Sequence, residues 1–193
     1  MSERARSHLR KELDMRDHLN RWWSTFRTDL PLNPHWEPRT TLAIWRLGQA
    51  THDRPGAGAF VLRRAHSVLD GIWVRAIIGA ELPRSVPAGP RLRLPHSGRG
   101  VVLHPSSRLG SDVTLYHGVT LGVSGGDLPP VVEDGSYLGA GAKIIGNITV
   151  GAGAKVGANA VVVRDVPTGA TAVGVPARIL PTRRDTDSTL TRD

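Results

Sequence analysis

From about residue 86 to residue 166, aliphatic side chains return every six residues. Val86, Leu92, Leu103, Leu109, Leu115, Leu121, Val132, Leu138, Ile144, Val150, Val156 and Val162 each open a hexad. Glycine often follows the opener, as at Gly110, Gly122, Gly139, Gly151 and Gly157. The residue four places on is often small or β-branched, as at Ser107, Val113, Val119, Ala142, Ile148, Ala154, Ala160 and Val166. A period of six matches neither a helix nor an alternating strand. It predicts a parallel β-helix of hexapeptide repeats. Three hexads make one eighteen-residue turn of a left-handed triangular coil, with each opener inward and stacked on the opener of the next coil. The period slips twice, from Leu92 to Leu103 and from Leu121 to Val132. Each slip demands a bulge or a protruding loop. The second contains Ser124-Gly-Gly-Asp127-Leu128-Pro129-Pro130, the one loop of the repeat region long enough to reach away from the wall.

Ahead of the repeats the spacing becomes helical. Leu9, Leu13, Leu19, Trp22 or Trp23, and Phe26 predict a helix over residues 2–30, capped by Ser2 and ended by Pro31 and Pro34. Leu42, Trp45 and Leu47 predict a second from about Thr40 to Thr51. A turn at Asp53–Gly58 precedes a third from about Ala59 to Ile78, stopped by Gly79. Four of the five Trp residues fall in or just before these helices and are expected to pack them against each other and the solenoid. Trp36 is expected in a connecting loop. The predicted fold is thus mainly β: a left-handed parallel β-helix over residues 80–180, a small α-helical region over 1–79 capping its open first coil, and a flexible tail over 181–193.

Composition narrows the function classes. The chain has 193 residues, 39% hydrophobic and 22% charged, and no Cys, which excludes disulfides, thiolate metal sites and a Cys nucleophile. The net charge is +8. The Arg residues are dispersed, with no compact basic stripe interleaved with aromatics, so nucleic acid is not the expected partner; a polyanionic cofactor is a better use for the charge. The heavily charged first twenty residues do not read as a secretory signal, and no apolar run is long enough for a membrane span. The expected location is the cytoplasm.

Histidine carries the candidate chemistry. His96, in Leu92-Arg-Leu-Pro-His96, falls at the coil position otherwise taken by small residues, where its two ring nitrogens need partners. Glu81 lies fifteen residues earlier, nearly one turn, so the two can meet on one corner of adjacent coils. A carboxylate on one ring nitrogen would leave the other free to take a proton. Spacing alone leaves a structural role open. His104 precedes Pro105 in a turn and is expected to face solvent. His117 follows Tyr116, with structural and substrate-contacting roles both open. The separations of His96, His104 and His117 do not suit a three-His zinc site in one subunit, so no metal is expected. The stretches Gly139-Ala-Gly-Ala-Lys143 and Gly151-Ala-Gly-Ala-Lys155 lack the ending of a phosphate loop; their glycines are coil turns. Lys143, Lys155, Arg164 and Arg178 are expected on an edge, either solvated or facing an extended anionic ligand.

Leu115-Tyr-His-Gly-Val-Thr-Leu-Gly122, Ser124-Gly-Gly-Asp127, Gly139-Ala-Gly-Ala-Lys-Ile-Ile-Gly-Asn147 and Gly174-Val-Pro-Ala-Arg178 together resemble the serine acetyltransferase family, over about residues 79–180. The resemblance extends to its shorter members, including those associated with exopolysaccharide synthesis. The resemblance implies an acetyl-CoA-dependent O-acetyltransferase assembled as a homotrimer, with CoA in the groove between adjacent solenoids. It implies that His96 is the general base and Glu81 its acidic partner. It implies that Ala140, Ala158, Arg164 and Arg178 line the CoA groove, with Gly122 and Lys143 as looser candidates, and that His117, Asp127, Leu128 and Pro129 border the acceptor. Two positions depart from the family pattern: Pro95 stands where an Asp precedes the catalytic His, and Leu128-Pro129 replace an Arg-His pair that holds the amino acid's carboxylate. A carboxylate without a cation is costly to bury, so a neutral alcohol such as a sugar hydroxyl fits this loop better than L-serine. Two other expectations stand beside this one: an inactive trimeric scaffold or binding protein, and a gamma-carbonic-anhydrase-like zinc enzyme.

Overall fold

The computed structural model describes residues 3–125 and 128–180, with side chains from residue 16 onward. The capping role of Ser2, Asp127 and the tail over 181–193 lie outside the described residues. Three helices lead: α1 (Glu3–Asp29), α2 (Trp36–Thr51) and α3 (Ala57–Leu69), the last running on as a π-helical segment, Asp70–Ile77. Gly79, at φ 70°, turns the chain out of the helix, and the Ala80 amide reaches back to the Val74 carbonyl. The second helix starts earlier than the sequence pattern suggests, and Trp36 is its first residue. Trp45 is fully buried and donates its indole N–H to the Pro83 carbonyl. Trp22 and Trp73 bond to Ala43 and Thr41 within the helical layer. Trp23 and Trp36, expected to pack, stay half-exposed or more.

The remainder is a left-handed parallel β-helix of three walls built from two- and three-residue strands. Wall A stacks β1 (Val102–Leu103), β4 (Thr120–Gly122), β7 (Lys143–Ile145) and β10 (Val161–Val162). Wall B stacks β2 (Arg108–Leu109), β5 (Val131–Val132) and β8 (Thr149–Val150). Wall C stacks β3 (Thr114–Leu115), β6 (Tyr137–Leu138), β9 (Lys155–Val156) and β11 (Thr171–Val173), closed by antiparallel β12 (Arg178–Leu180). Register follows the eighteen-residue turn: Val102 faces Thr120, and Tyr137 faces Lys155. Leu103, Leu121, Ile144 and Val162 therefore form one inward column. The solenoid and the helical residues Phe26, Leu42, Ile44, Trp45, Val74 and Ile78 share a single apolar core. Each fully buried aliphatic in it contributes about 1.5–3 kcal/mol.

The first coil departs from the expected register. Glu81 bridges Val102, Ala88 bridges Leu109 and Arg93 bridges Thr114. Its inward openers are therefore Leu82, Ala88 and Leu94. Val86 and Leu92, read as openers from the sequence, are buried in the secondary position that Val113 takes one coil later. This coil holds three residues more than a regular turn, and the surplus falls between Leu94 and Val101. The segment there cannot lie flat and bulges outward at Pro95–Gly98, with His96 and Ser97 both left-handed at φ 55° and 64°. The second slip is absorbed by the loop between β4 and β5, where Leu128 is 67% exposed.

Candidate active site

The surplus residues set His96 outside the wall. It is exposed, not inward; Ser97 takes the buried position instead. A left-handed conformation at two successive non-glycine residues costs about 1–3 kcal/mol each and persists only where the surroundings enforce it. The enforcement is visible. Buried Asn33, between α1 and α2, donates from Nδ2 to the Leu92 carbonyl and accepts at Oδ1 from the Leu94 amide, at 2.8 and 3.0 Å. Asp29 accepts from the Leu92 amide at 2.8 Å. The helical cap thus holds the strand that leads into His96. Neither Asn33 nor Asp29 stands out in the sequence, because both act on a strand some sixty residues away.

The corner between walls C and A carries the other candidates. His117 lies on it one coil above His96, the two rings edge to face with centroids 5.0 Å apart. Ala140 and Ala158 follow on the next two coils; the Asn159 amide donates to the Ala140 carbonyl at 2.7 Å. Backbones stack closely here. Gly118 stands at φ 70°, a backbone conformation that favours glycine, and the edge at this level carries no bulky side chain beyond His117. The edge ends at Gly174–Ala177, where the Val161 amide meets the Gly174 carbonyl and the Ala177 amide meets the Val161 carbonyl. His96, His117, Ala140 and Ala158 thus share one continuous edge. Both glycine-rich stretches form coil turns, as their period implied: Gly139–Gly141 on this edge, and Gly151–Gly153 at the corner between walls B and C.

Glu81 stands on the outer side of wall A, in the column continued by Val102, Thr120, Lys143 and Val161. The His96 corner opens directly onto that wall. Among the described residues no hydrogen bond joins Glu81 to His96; the charge of Glu81 bears on Arg75, whose affinity for its proton is raised first by a hydrogen bond to Asp70 and in smaller part by Glu81. Beside His96 a cleft of about 560 Å³ lies between the helical cap and the first coil, where Asn33, His35 and Glu37 face Arg93, His96 and Arg99. Tyr116 closes it, its ring 5.2 Å from that of Tyr137. The hydrogen bond between these two phenols raises the Tyr137 pKa, with burial adding to it.

The remaining candidates divide. Arg164 and Arg178 are brought together around a cleft of about 300 Å³ near the end of the solenoid. Lys143 is not a free cation: its Nζ donates to the Gly118 carbonyl at 2.7 Å and to the Thr120 hydroxyl at 2.9 Å. Lys143 and Lys155, expected on one edge, lie on walls A and C respectively, because the two hexads between them span two of three faces. Gly122 ends β4 at the corner away from His117, next to the loop that carries Leu128 and Pro129. His104, expected to face solvent, is half-buried at the other end of wall A, and its Nδ1 accepts from the Ser106 amide. Among the described residues no group of three His, Asp or Glu side chains converges as metal ligands, and no helix is long and apolar enough to cross a membrane.

The sequence profile of the bacterial transferase hexapeptide (six repeats) matches residues 129–164. The serine acetyltransferase of Mycobacterium tuberculosis is 41% identical over 126 residues, 64% of this chain and 53% of that protein. That of Bacillus licheniformis is 39% identical over 143 residues, 72% of this chain and 62% of that protein. The chain thus spans between half and two thirds of the length of these curated relatives. Among solved structures, the soybean serine acetyltransferase apoenzyme superposes with a TM-score of 0.67 at 30% identity, covering 83% of this chain and 69% of that one. The Brucella abortus serine acetyltransferase in complex with coenzyme A gives 0.70 at 27% identity, covering 86% and 70%.

Proposed function

Because this chain belongs to the serine acetyltransferase-like family of hexapeptide-repeat proteins, we propose that it transfers an acetyl group from acetyl-CoA to the hydroxyl of a small acceptor. The observation that carries this reading is the shared edge: an exposed, strained His96 at one end and the small residues Ala140 and Ala158 along it. His96 removes the acceptor's proton as the hydroxyl oxygen attacks the thioester carbonyl. The carbon–sulfur bond then breaks, and the imidazolium returns the proton to the departing CoA thiolate. Glu81, facing the same corner from wall A, stabilises the imidazolium. Ala140 and Ala158 leave room for the pantetheine arm, Arg164 and Arg178 meet the phosphates, and Gly122 and Lys143 serve at most indirectly. A second solenoid packed along this edge would turn it into a groove, which is the homotrimer reading.

In such an assembly the loop after β4 of the neighbouring solenoid borders the acceptor and favours a neutral alcohol, such as a sugar hydroxyl, because Leu128 and Pro129 offer no cation to a carboxylate. L-Serine is the second reading, favoured by the Arg93, Arg99 and Glu37 that line the cleft beside His96 and match a zwitterion in charge. A thiol reagent that reports CoA release, run with L-serine and a set of sugars side by side, separates them. The loop-based reading predicts faster turnover with a sugar. L-serine as best acceptor would transfer the acceptor site to the Arg93–Arg99 cleft, and no CoA release with any alcohol would contradict acetyl transfer.

A further inference from the structure

Away from the His96 edge, a second cleft of about 530 Å³ lies where α1 and α2 meet wall B of the first coil. Arg21, Ser24 and Thr25 come from α1, Arg46, Gln49 and Ala50 from α2, and Arg54 from the turn after it; Pro87, Ala88, Gly89 and Leu109 form the floor. From this geometry we infer a binding site for a small phosphoryl dianion, separate from the acetyl-transfer edge.

The argument begins with the floor. Exposed carbonyl oxygens would repel an anion, but here the Ala88 and Gly89 carbonyls each accept from the Arg46 guanidinium at 2.7 Å. Arg46 is 2% exposed and commits its other donors to both Asp29 oxygens and to Gln49. The buried carboxylate behind the floor, Asp29, is therefore neutralised in place, and both of its oxygens are occupied. The rim differs. Arg21 and Arg54 are exposed, project from separate elements into one cleft, and belong to no ion pair among the described residues. No Asp or Glu lines the cleft. Two uncommitted guanidiniums around a floor with its acceptors already tied make a site of net charge about +2, matched to a phosphoryl dianion, which takes charge-assisted, bidentate bonds from arginine. The volume exceeds that of phosphate alone and leaves room for a small phosphate ester. Nothing in acetyl transfer requires this cleft, so its occupant would act as an effector or a second ligand.

Titration calorimetry with inorganic phosphate and with glucose 6-phosphate, on the full chain and in the presence of saturating CoA, tests it. The expected result is saturable binding of both anions, none of neutral glucose, and a loss of about tenfold or more in affinity for each of Arg21→Gln and Arg54→Gln. Both residues are exposed, and an unchanged circular dichroism spectrum certifies the fold. Binding that CoA abolishes would assign the anion to the acetyl-transfer edge and overturn the inference. So would an absence of binding, or affinities that neither substitution changes.

Discussion

Asp29 and Arg46 are two residues of opposite charge with almost no contact with water, and they join three parts of the chain. Asp29 closes α1, Arg46 sits mid-α2, and both reach the first coil, through the Leu92 amide and the Ala88 and Gly89 carbonyls. The pair's own attraction is largely offset by the cost of removing both charges from water. Removing one partner is a different matter. Asp29→Ala leaves a buried guanidinium uncompensated and should cost about 3–5 kcal/mol in chemical denaturation. The exposed Arg91–Asp112 pair provides the contrast: Arg91→Ala should cost about 1 kcal/mol or less. Equal losses would refute the difference in burial as the cause. None of this was legible in the sequence, since an Asp and an Arg seventeen positions apart announce nothing. His96 was legible as a candidate but not as geometry. Its residue type and its distance from Glu81 singled it out, whereas its position outside the wall depended on a bulge whose exact register the hexads do not encode.

The elements follow the same division. Regular coils could be read directly, because every inward column repeats the six-residue rule and a slip of one residue would turn aliphatics outward. The first coil could not, because Leu82, Leu92 and Leu94 are all apolar and the pattern does not say which of them opens a hexad. The helices were legible in number, and their packing was not. Here α3 rests on α2 through Gly48, where any Cβ would overlap the His66 ring. His66 is buried with neither ring nitrogen hydrogen-bonded, and burial lowers its pKa below the ordinary value of 6.5; Arg84 and Arg75 push the same way and Asp70 opposes them. The unfolded chain therefore takes up a proton here before the folded one does. Stability contributed by neutral His66 is present above about pH 6.5 and declines as the pH falls below it, levelling off below the folded-state pKa. Melting temperatures measured between pH 8 and pH 5 should fall on acidification, and His66→Gln should flatten that slope. An unchanged slope in the variant would assign the pH dependence to other groups.

At the scale of the whole molecule, a solenoid with a helical cap at one end presents its chemistry along an edge. The cap fixes the first coil through Asp29, Asn33 and Arg46. The surplus residues of that coil throw His96 outward, and the small residues of the later coils keep the rest of the edge shallow. Each feature follows from a local constraint, and together they set His96, His117, Ala140 and Ala158 on one edge. The loop after β4, with Leu128 and Pro129, stands at another corner of the same prism. The central claim is that this edge performs the transfer through His96. Acetyl-CoA turnover by His96→Ala, measured with the best acceptor alongside CoA affinity, tests it most directly. The account predicts a loss of about two orders of magnitude or more in turnover, with CoA bound as in the parent protein; turnover near the parent rate would contradict it.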